Sequence, residues 1–422
     1  MGLAEITLRS ERLESSSVTV ARTAPPHASS RRSLRHATRG QALIVLVLML
    51  SIASTLLVYG STTELGRAVK SEARTQASLA YAREALIGRA VADANRPGSL
   101  PCPDTDDDGS AELFVGSACP SYIGRLPWRT LSIGDLRDDA GERLWYALSP
   151  AFRDHPSAPA LNSDTRGTLT LYSISEATAL TREAVAIVFA PGAAVGAQAR
   201  DTSTAQCSTT GRHVPRDRCS ANYLEGTAGF TNASAAGPYI TAPVAETFND
   251  RVAVIVTADL MPLVEQRVAM EARSALLAYK AASACACYPW AAGGLDGASE
   301  HGQNRGFIPS IGVLPDAWPQ GVLPAYFRAN RWGRIIRYAV ARAALEDGGR
   351  ACDTCRDTDL SIDETRAFEL VLITPGYAER PRQNTADYVD DVENRDDDDR
   401  YVTPRSQTAA RDRIYAISNS TR

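Results

Sequence analysis

The sequence predicts an α+β fold in which an N-terminal transmembrane helix continues into a long exported helix packed on an antiparallel sheet, with this unit duplicated in tandem. Three observations predict it: an uncharged apolar run, a helical pattern that continues beyond the run, and short motifs that recur in the same order. The expected parts are a cytoplasmic basic leader (1–40), a transmembrane helix (41–61), and two α+β units (62–257 and 258–422).

The length and composition allow for a sizeable core. The 422 residues carry a net charge of -4 and are 44% hydrophobic, which suits one large or two ordinary domains. A nucleic-acid-binding protein would show a basic face, and this near-neutral balance gives no sign of one. We therefore expect no nucleic acid among the partners.

The apolar run, ALIVLVLMLSIASTLLVY, covers residues 42–59 and contains no charge. About 20 residues cross a bilayer core of ~30 Å, so the run lies at the short end of a span. Seven arginines and three glutamates precede it, and the positive-inside bias then places the leader in the cytoplasm. The sequence thus predicts a single-pass protein of a bacterial inner membrane, in contact with the bilayer, whose C-terminal part is periplasmic or extracellular. The alternative is a cleaved secretory signal, but its apolar region is usually about 7–15 residues long.

Six motifs of the first half return in the second half in the same order, which predicts a duplication. The pairs are AREALI (82–87) with ARSALL (272–277), GRLP (124–127) with GFIP (306–309), GERLWYAL (141–148) with GRIIRYAV (333–340), TREAVAIVFAPG (181–192) with TRAFELVLITPG (365–376), NYLEG (222–226) with DYVDD (387–391), and NDRVAVIV (249–256) with RDRIYAIS (411–418).

Each unit is expected to begin with a helix and to continue with strands. The first helix covers residues 41–94 and the second about 259–283, with Asp259 as N-cap and Pro262 in the first turn. The later motifs are β-branched and apolar, as is typical of strands that a helix half-covers.

A basic leader ending at glycine, a membrane helix running into an exported helix, and a small antiparallel sheet resemble the type IV pilin and type II secretion pseudopilin superfamily. The segment TRGQALIVLVLML carries the first part of this resemblance, and NRWGRIIRYAV, ELVLITPG, an acidic loop and a last strand carry the second. The resemblance implies prepilin cleavage between Gly40 and Gln41 and contacts with other pilin or secretion-system subunits. Val45 stands where most pilins have glutamate, which favours a minor or accessory subunit.

Two acidic loops are candidate calcium sites. In PCPDTDDDGSAE the carboxylates of Asp104, Asp106 and Asp108 alternate, Gly109 permits a sharp turn, and Glu112 follows too early for an EF-hand. The second loop, DYVDDVENRDDDDRY, offers Asp390, Asp391, Asp396 and Asp397, and the resemblance places calcium in a loop at this position. The alternative for both loops is a solvated acidic turn.

Eight cysteines occur, an even number that suits disulfides in an oxidising compartment. We expect Cys102 to pair with Cys119, and Cys207 with Cys219. Three pairings are open to the remaining four residues (Cys285, Cys287, Cys352, Cys355); we favour bonds from each of the first two to one of the last two. A four-thiolate zinc site is the less favoured alternative.

No nucleophile elbow, phosphate-binding loop or metalloprotease motif occurs in the sequence. We therefore expect no catalytic residues, and the first hypothesis for function is a membrane-anchored structural subunit of a type IV pilus or type II secretion system. The second is a membrane-tethered envelope enzyme or glycan-binding module. Co-purification with assembly components would favour the first hypothesis. Enzymatic activity of the exported part would favour the second.

Overall fold

A computed structural model describes residues 38–175, 178–201, 206–209, 212–227, 229–295, 298, 300, 302–309, 323–347, 350–351, 360–396, 398–404 and 410–418. The α-helices of this part are α1 (Thr38–Ala92), α2 (Thr257–Ala282) and α3 (Ala325–Ala329). The chain divides into two compact units, Met1–Gly66 and Arg67–Arg422, and all strands belong to the second.

The first half of the second unit contains a six-stranded sheet. Its strands are β1 (Ile123–Arg125), β2 (Trp145–Leu148), β3 (Leu169–Ser173), β4 (Thr178–Ala190), β9 (Tyr239–Thr241) and β10 (Arg251–Val256). Two hairpins lie between β4 and β9, namely β5 (Gln206–Thr209) with β6 (Arg212–Pro215), and β7 (Gly226–Thr227) with β8 (Phe230–Thr231). The strand order is β1-β2-β4-β3-β9, with β10 also paired to β4, so the long strand β4 organises this sheet.

The second half repeats this topology. The strands are β11 (Arg305–Phe307), β12 (Arg337–Val340), β15 (Leu360–Ile362), β16 (Thr365–Thr374), β17 (Arg400–Tyr401) and β18 (Arg413–Ser418), and a hairpin joins β13 (Glu346–Asp347) to β14 (Arg350–Ala351). The order β11-β12-β16-β15-β17, with β18 paired to β16, matches the first sheet strand for strand. We call the two halves the first and second repeat.

Equivalent residues make equivalent contacts in both repeats. The hydroxyl of fully buried Tyr146 donates to the carbonyl of Pro101 at 3.3 Å, and that of Tyr338 donates to the carbonyl of Pro289 at 2.8 Å. Both pairs fasten the loop after the helix to the second strand of the sheet. The spacing of glycine and tyrosine in the two motifs therefore reflects a buried hydrogen bond.

The outer strand of each sheet is held by an arginine of the preceding helix. Arg83 of α1 donates to the carbonyl of Val254 in β10 at 3.1 Å, and Arg273 of α2 donates to that of Ala416 in β18 at 3.0 Å. Unpaired edge groups invite further strands, and these guanidinium groups occupy one such carbonyl in each repeat. The recurring Ala-Arg pair of the helix motifs thus has a structural role.

The fold class predicted from the sequence is wrong. No helix among the described residues is both long and apolar enough to cross a membrane, and the folded body is mostly sheet, with eighteen strands against three α-helices in that part of the chain. In the part of α1 whose side chains are described, Lys70, Glu72 and Arg74 are exposed charges. Most side chains of the expected span, 42–59, lie outside the description, as do residues 1–37.

Helix α2 begins earlier than expected. Its first residue is Thr257, so Asp259 is the third residue of the helix and its carboxylate accepts a hydrogen bond from the N–H of Val256 at 3.0 Å. A carboxylate at this position satisfies a backbone donor that the helix leaves free and favours the positive end of the helix dipole. The N-cap itself is Val256, which the sequence rules disfavour because it has no side-chain acceptor.

Helix α2 also joins the repeats, because one core of buried residues contains side chains of both sheets and of this helix. Glu265 of α2 is fully buried; it accepts a hydrogen bond from the N–H of Gly376 at 3.0 Å and another from the hydroxyl of Ser163. Ser163 belongs to the first repeat and Gly376 to the second. Burial raises the pKa of the Glu265 carboxyl to about 7, against the hydrogen bonds and the positive charge of Arg382.

We expect Glu265→Gln to abolish part of the pH dependence of stability. A carboxyl with a raised pKa binds more protons when folded, so the free energy of unfolding falls as pH rises from 4.5, the ordinary value, to about 7. Glutamine keeps an acceptor for Gly376 and does not ionise. We therefore expect the wild type to lose more free energy of unfolding between pH 5 and pH 8 than the variant does, by on the order of 3 kcal/mol. Urea unfolding at the two pH values measures this difference.

Glu84→Gln is the matched control, because the Glu84 side chain on α1 is 65% exposed. It should leave the pH dependence as in the wild type. If Glu265→Gln and the wild type lose equal stability between the two pH values, Glu265 does not titrate in this range.

Candidate functional site

The first acidic loop, residues 104–112, is built around a buried carboxylate. Asp104 is 1% exposed and accepts hydrogen bonds from the N–H groups of Asp107 and Gly109, both at 2.7 Å, and of Asp106 at 3.2 Å. Burial raises the pKa of Asp104 to about 6 despite these bonds, and the charges of Asp107 and Asp106 act in the same direction. The aspartate that the sequence placed first in the pattern therefore holds the loop together.

Gly109 meets two requirements at the turn. Its φ is +87°, a backbone conformation that favours glycine, and a Cβ at this position would lie 2.5 Å from the indole ring of Trp128. The carboxylates of Asp104, Asp106 and Asp108 each offer an oxygen within 4.8 Å of the others. The structure therefore brings together three of the predicted calcium ligands, as hard oxygen donors of the kind calcium prefers.

The remaining acids of this loop face elsewhere. Glu112 accepts from the N–H and the hydroxyl of Thr105 at 2.9 and 2.6 Å, which closes the loop. Asp107, which the alternating pattern omits, forms an ion pair with Arg143 at 3.0 Å. Glu112 thus has a bracing role in the loop, and Asp107 anchors it to the body.

The second acidic loop, residues 387–399, depends on an aspartate outside it. Asp412, just before β18, is 3% exposed and accepts from the N–H groups of Asp390 and Asp391 at 2.8 and 2.9 Å. Burial raises the pKa of Asp412, with a smaller contribution from the charge of Asp390. Asn394 binds both backbone groups of Val402, with distances of 2.8 and 3.0 Å.

The first repeat contains the same arrangement, which we call the aspartate lock. Fully buried Asp250 accepts from the N–H of Glu225 at 2.9 Å and from Asn232 at 2.8 Å, and Asn232 binds both backbone groups of Ile240. Asp250 and Asp412 occupy the same position in the motifs NDR and RDR. Sequence reasoning missed both locks, although the aspartate common to the two motifs was the available signal.

The carboxylates that the structure brings together in the second loop differ from the predicted set. Glu393, Asp396 and Asp398 offer oxygens within 4.8 Å of one another, whereas Asp390 pairs with Arg411 at 3.0 Å and Asp391 accepts from the N–H of Glu393 at 3.0 Å. Asp397 lies outside the described residues. Among the predicted ligands that the structure describes, Asp396 alone belongs to the cluster, because Asp390 and Asp391 bind the partners just named.

The described cysteines form bonds that are close together in the sequence. Cys102 and Cys119 are joined across the first acidic loop, at a sequence separation of 17, as the sequence predicted. Cys219 is also disulfide-bonded, while the side chain of Cys207 is not among those described. The favoured pairing of the CAC motif is wrong, because Cys285 bonds to Cys287. Cys352 and Cys355 lie outside the description.

A calcium ion bound at either cluster should raise the melting temperature of the full chain. A cation that binds only the folded state stabilises it by about 2.7 kcal/mol at a hundred times its dissociation constant. We expect millimolar calcium to raise the melting temperature and a chelator to reverse the rise. At the first loop the effect should weaken below pH 6, because a protonated Asp104 is neutral and no longer attracts the cation.

Asp106→Ala tests the first cluster and Asp396→Ala the second, with Glu84→Gln as the control on exposed charge. Loss of the rise in one variant identifies the site. If neither calcium nor chelator changes the melting temperature at low ionic strength, both loops are solvated acidic turns.

Comparison with known proteins gives no match: no protein-family model fits the chain, and neither the curated proteins nor the solved structures contain a significant relative.

Proposed function

We propose that the chain is a structural subunit of an exported bacterial assembly, of the type II secretion or type IV pilus class, that acts through protein contacts. The observation that carries this proposal is an apolar stripe on the outer face of α2. Leu263, Met270 and Leu277 recur every seven residues and are 43%, 49% and 37% exposed. Residues seven apart lie on one side of a helix, so their side chains follow one line.

Next to the stripe lies a groove of about 430 Å³, which Met270, Ser274, Ala278 and Pro324 line together with the Arg267–Glu271 ion pair. Apolar surface with a polar rim is typical of protein interaction sites. The groove therefore supports contact with another subunit through the face of α2.

One outer strand of each sheet, β10 or β18, supports the same route. Arg83 and Arg273 each occupy a carbonyl of an outer strand, which disfavours association by strand addition. These arginines do not obstruct contact with another subunit through a helix face. The helices thus contact other subunits, and the sheets act as the scaffold that supports them.

Export is part of the proposal. The bond between Cys102 and Cys119 closes the first acidic loop, and such bonds persist in oxidising compartments such as the bacterial periplasm. We place the folded body outside the cytoplasm for this reason.

The test is co-purification of the full chain with secretion or pilus components from its host. We expect Met270→Lys to reduce the recovered partners at least about tenfold, because a buried charge in an apolar contact is costly. Lys70→Met, which changes an exposed charge on α1, is the control and should not do so. Normal recovery with Met270→Lys, at unchanged melting temperature, would remove the stripe from the assembly surface. Hydrolase activity of the full chain would favour the envelope-enzyme alternative.

A further inference from the structure

Beside each aspartate lock an arginine fastens the Pro-Gly turn that ends the long central strand. Arg200 donates to the carbonyls of Gly192 at 2.6 Å and Asn222 at 2.9 Å, and its guanidinium lies 4.7 Å from the ring of Tyr223. In the second repeat Arg382 does the same to Gly376 and Asp387, at 2.8 and 3.1 Å, and lies 5.1 Å from the ring of Tyr388. This common arginine allows the surroundings of the two locks to be compared residue by residue.

In the first repeat the space beside the arginine is filled by side chains that bind one another. Gln198 stands two positions before Arg200, donates to Glu225 at 2.6 Å, and accepts from Arg200 at 2.6 Å. The other oxygen of Glu225 accepts from the N–H groups of Asn249 and Asp250 at 3.0 and 2.9 Å. A bridge of hydrogen bonds therefore crosses this position.

The second repeat replaces each part of that bridge. Arg380 stands two positions before Arg382, where the first repeat has Gln198, and Asp390 stands at the position of Glu225. The Asp390 side chain is shorter by one methylene group and binds Arg411 at 3.0 Å. A cavity of about 520 Å³ lies here; its lining includes Arg380, Gln383, Asn384, Asp387, Asp390 and Arg395.

The charges around this cavity are unequally engaged. Arg382 pairs with Asp164 at 2.9 Å, and Arg411 pairs with Glu379 at 2.8 Å as well as with Asp390. Arg380 and Arg395 are exposed, and neither forms an ion pair within the part of the chain that the structure describes. Two exposed guanidinium groups thus line this cavity together with amides and carboxylates.

We propose that this cavity of the second repeat binds an acidic saccharide, whose carboxylate lies against Arg380 and Arg395. Guanidinium groups bind carboxylates with two parallel hydrogen bonds. The carboxylates of Asp387 and Asp390 and the amides of Gln383 and Asn384 present acceptors and donors for the hydroxyls of a sugar ring. The volume lies within the range of about 300–1,000 Å³ that is usual for small-molecule sites. This site is independent of the assembly role proposed above.

The test is isothermal titration of the full chain with trigalacturonic acid, with maltotriose as the neutral sugar and citrate as the carboxylate without a sugar ring. We expect trigalacturonic acid to bind at least about tenfold more tightly than either, since of the three it alone offers both a carboxylate for the arginines and ring hydroxyls for the acids and amides. Equal affinity for citrate would mean simple attraction of anions and would overturn the proposal. Absence of binding at millimolar trigalacturonic acid would overturn it too.

Two variants locate the site. Arg380→Gln with Arg395→Gln removes the rim charges, and Arg380→Gln with Asp390→Glu introduces the glutamine and glutamate of the first repeat, which should fill the cavity. Each should weaken binding at least about tenfold at unchanged melting temperature. The control Arg74→Gln removes an arginine whose side chain is 63% exposed on α1 and should bind like the wild type. Wild-type affinity in both double variants would place the sugar elsewhere and refute the assignment.

Discussion

The buried carboxylate of Glu265 is the constraint on which the arrangement of the two repeats depends. It lies on α2, where the hydroxyl of Ser163 and the N–H of Gly376 reach it from different repeats. A buried polar group of this kind is costly unless its partners are in place, so it fixes the position of the helix against both sheets. Two positions further along α2, Arg267 donates to the carbonyls of Val91 and Asp93 at the end of α1.

Further polar contacts join the two repeats. Asn330 of the second repeat accepts from the N–H of Leu161 at 3.0 Å, and its carbonyl accepts from Asn162 at 2.8 Å. Asp164 receives Arg382 and the hydroxyl of Tyr388, at 2.9 and 3.0 Å. Apolar packing alone tolerates many arrangements, whereas these bonds require one register. Arg382 therefore serves twice, because it also fastens the Pro-Gly turn of its own repeat.

The sequence predicted much of the second unit because its signals are local or repeated. Five of the six motif pairs coincide with strands or α-helices in the same order in both repeats, and Asp104 with Gly109 lies in a tight loop as its spacing indicated. The ligand set of the second loop was predicted poorly, because Asp390 pairs with Arg411, 21 positions further along the chain, and Asp391 accepts from the N–H of Glu393. Likewise, hydropathy alone led to a membrane-spanning helix, which the described residues do not contain.

The two repeats share the same frame of strands, and they differ at residues that this frame does not require. The aspartate locks are kept in both, since an unpaired buried N–H group costs about as much as a lost hydrogen bond. The acidic residues of the loops differ between the repeats. Asp104 forms a β-bridge with Arg125 in the first repeat, and Ala292 forms the equivalent bridge with Phe307 in the second. The second repeat therefore has no carboxylate at the position that anchors the first acidic loop. Conversely, Glu393, Asp396 and Asp398 form a cluster around Asn394 in the second repeat. When Asn232 is aligned with Asn394, the first repeat has Thr231, Ser234 and Ala236 at these positions. The variable loops on a shared frame are therefore where function is to be sought, since a rigid scaffold positions loops without constraining their chemistry.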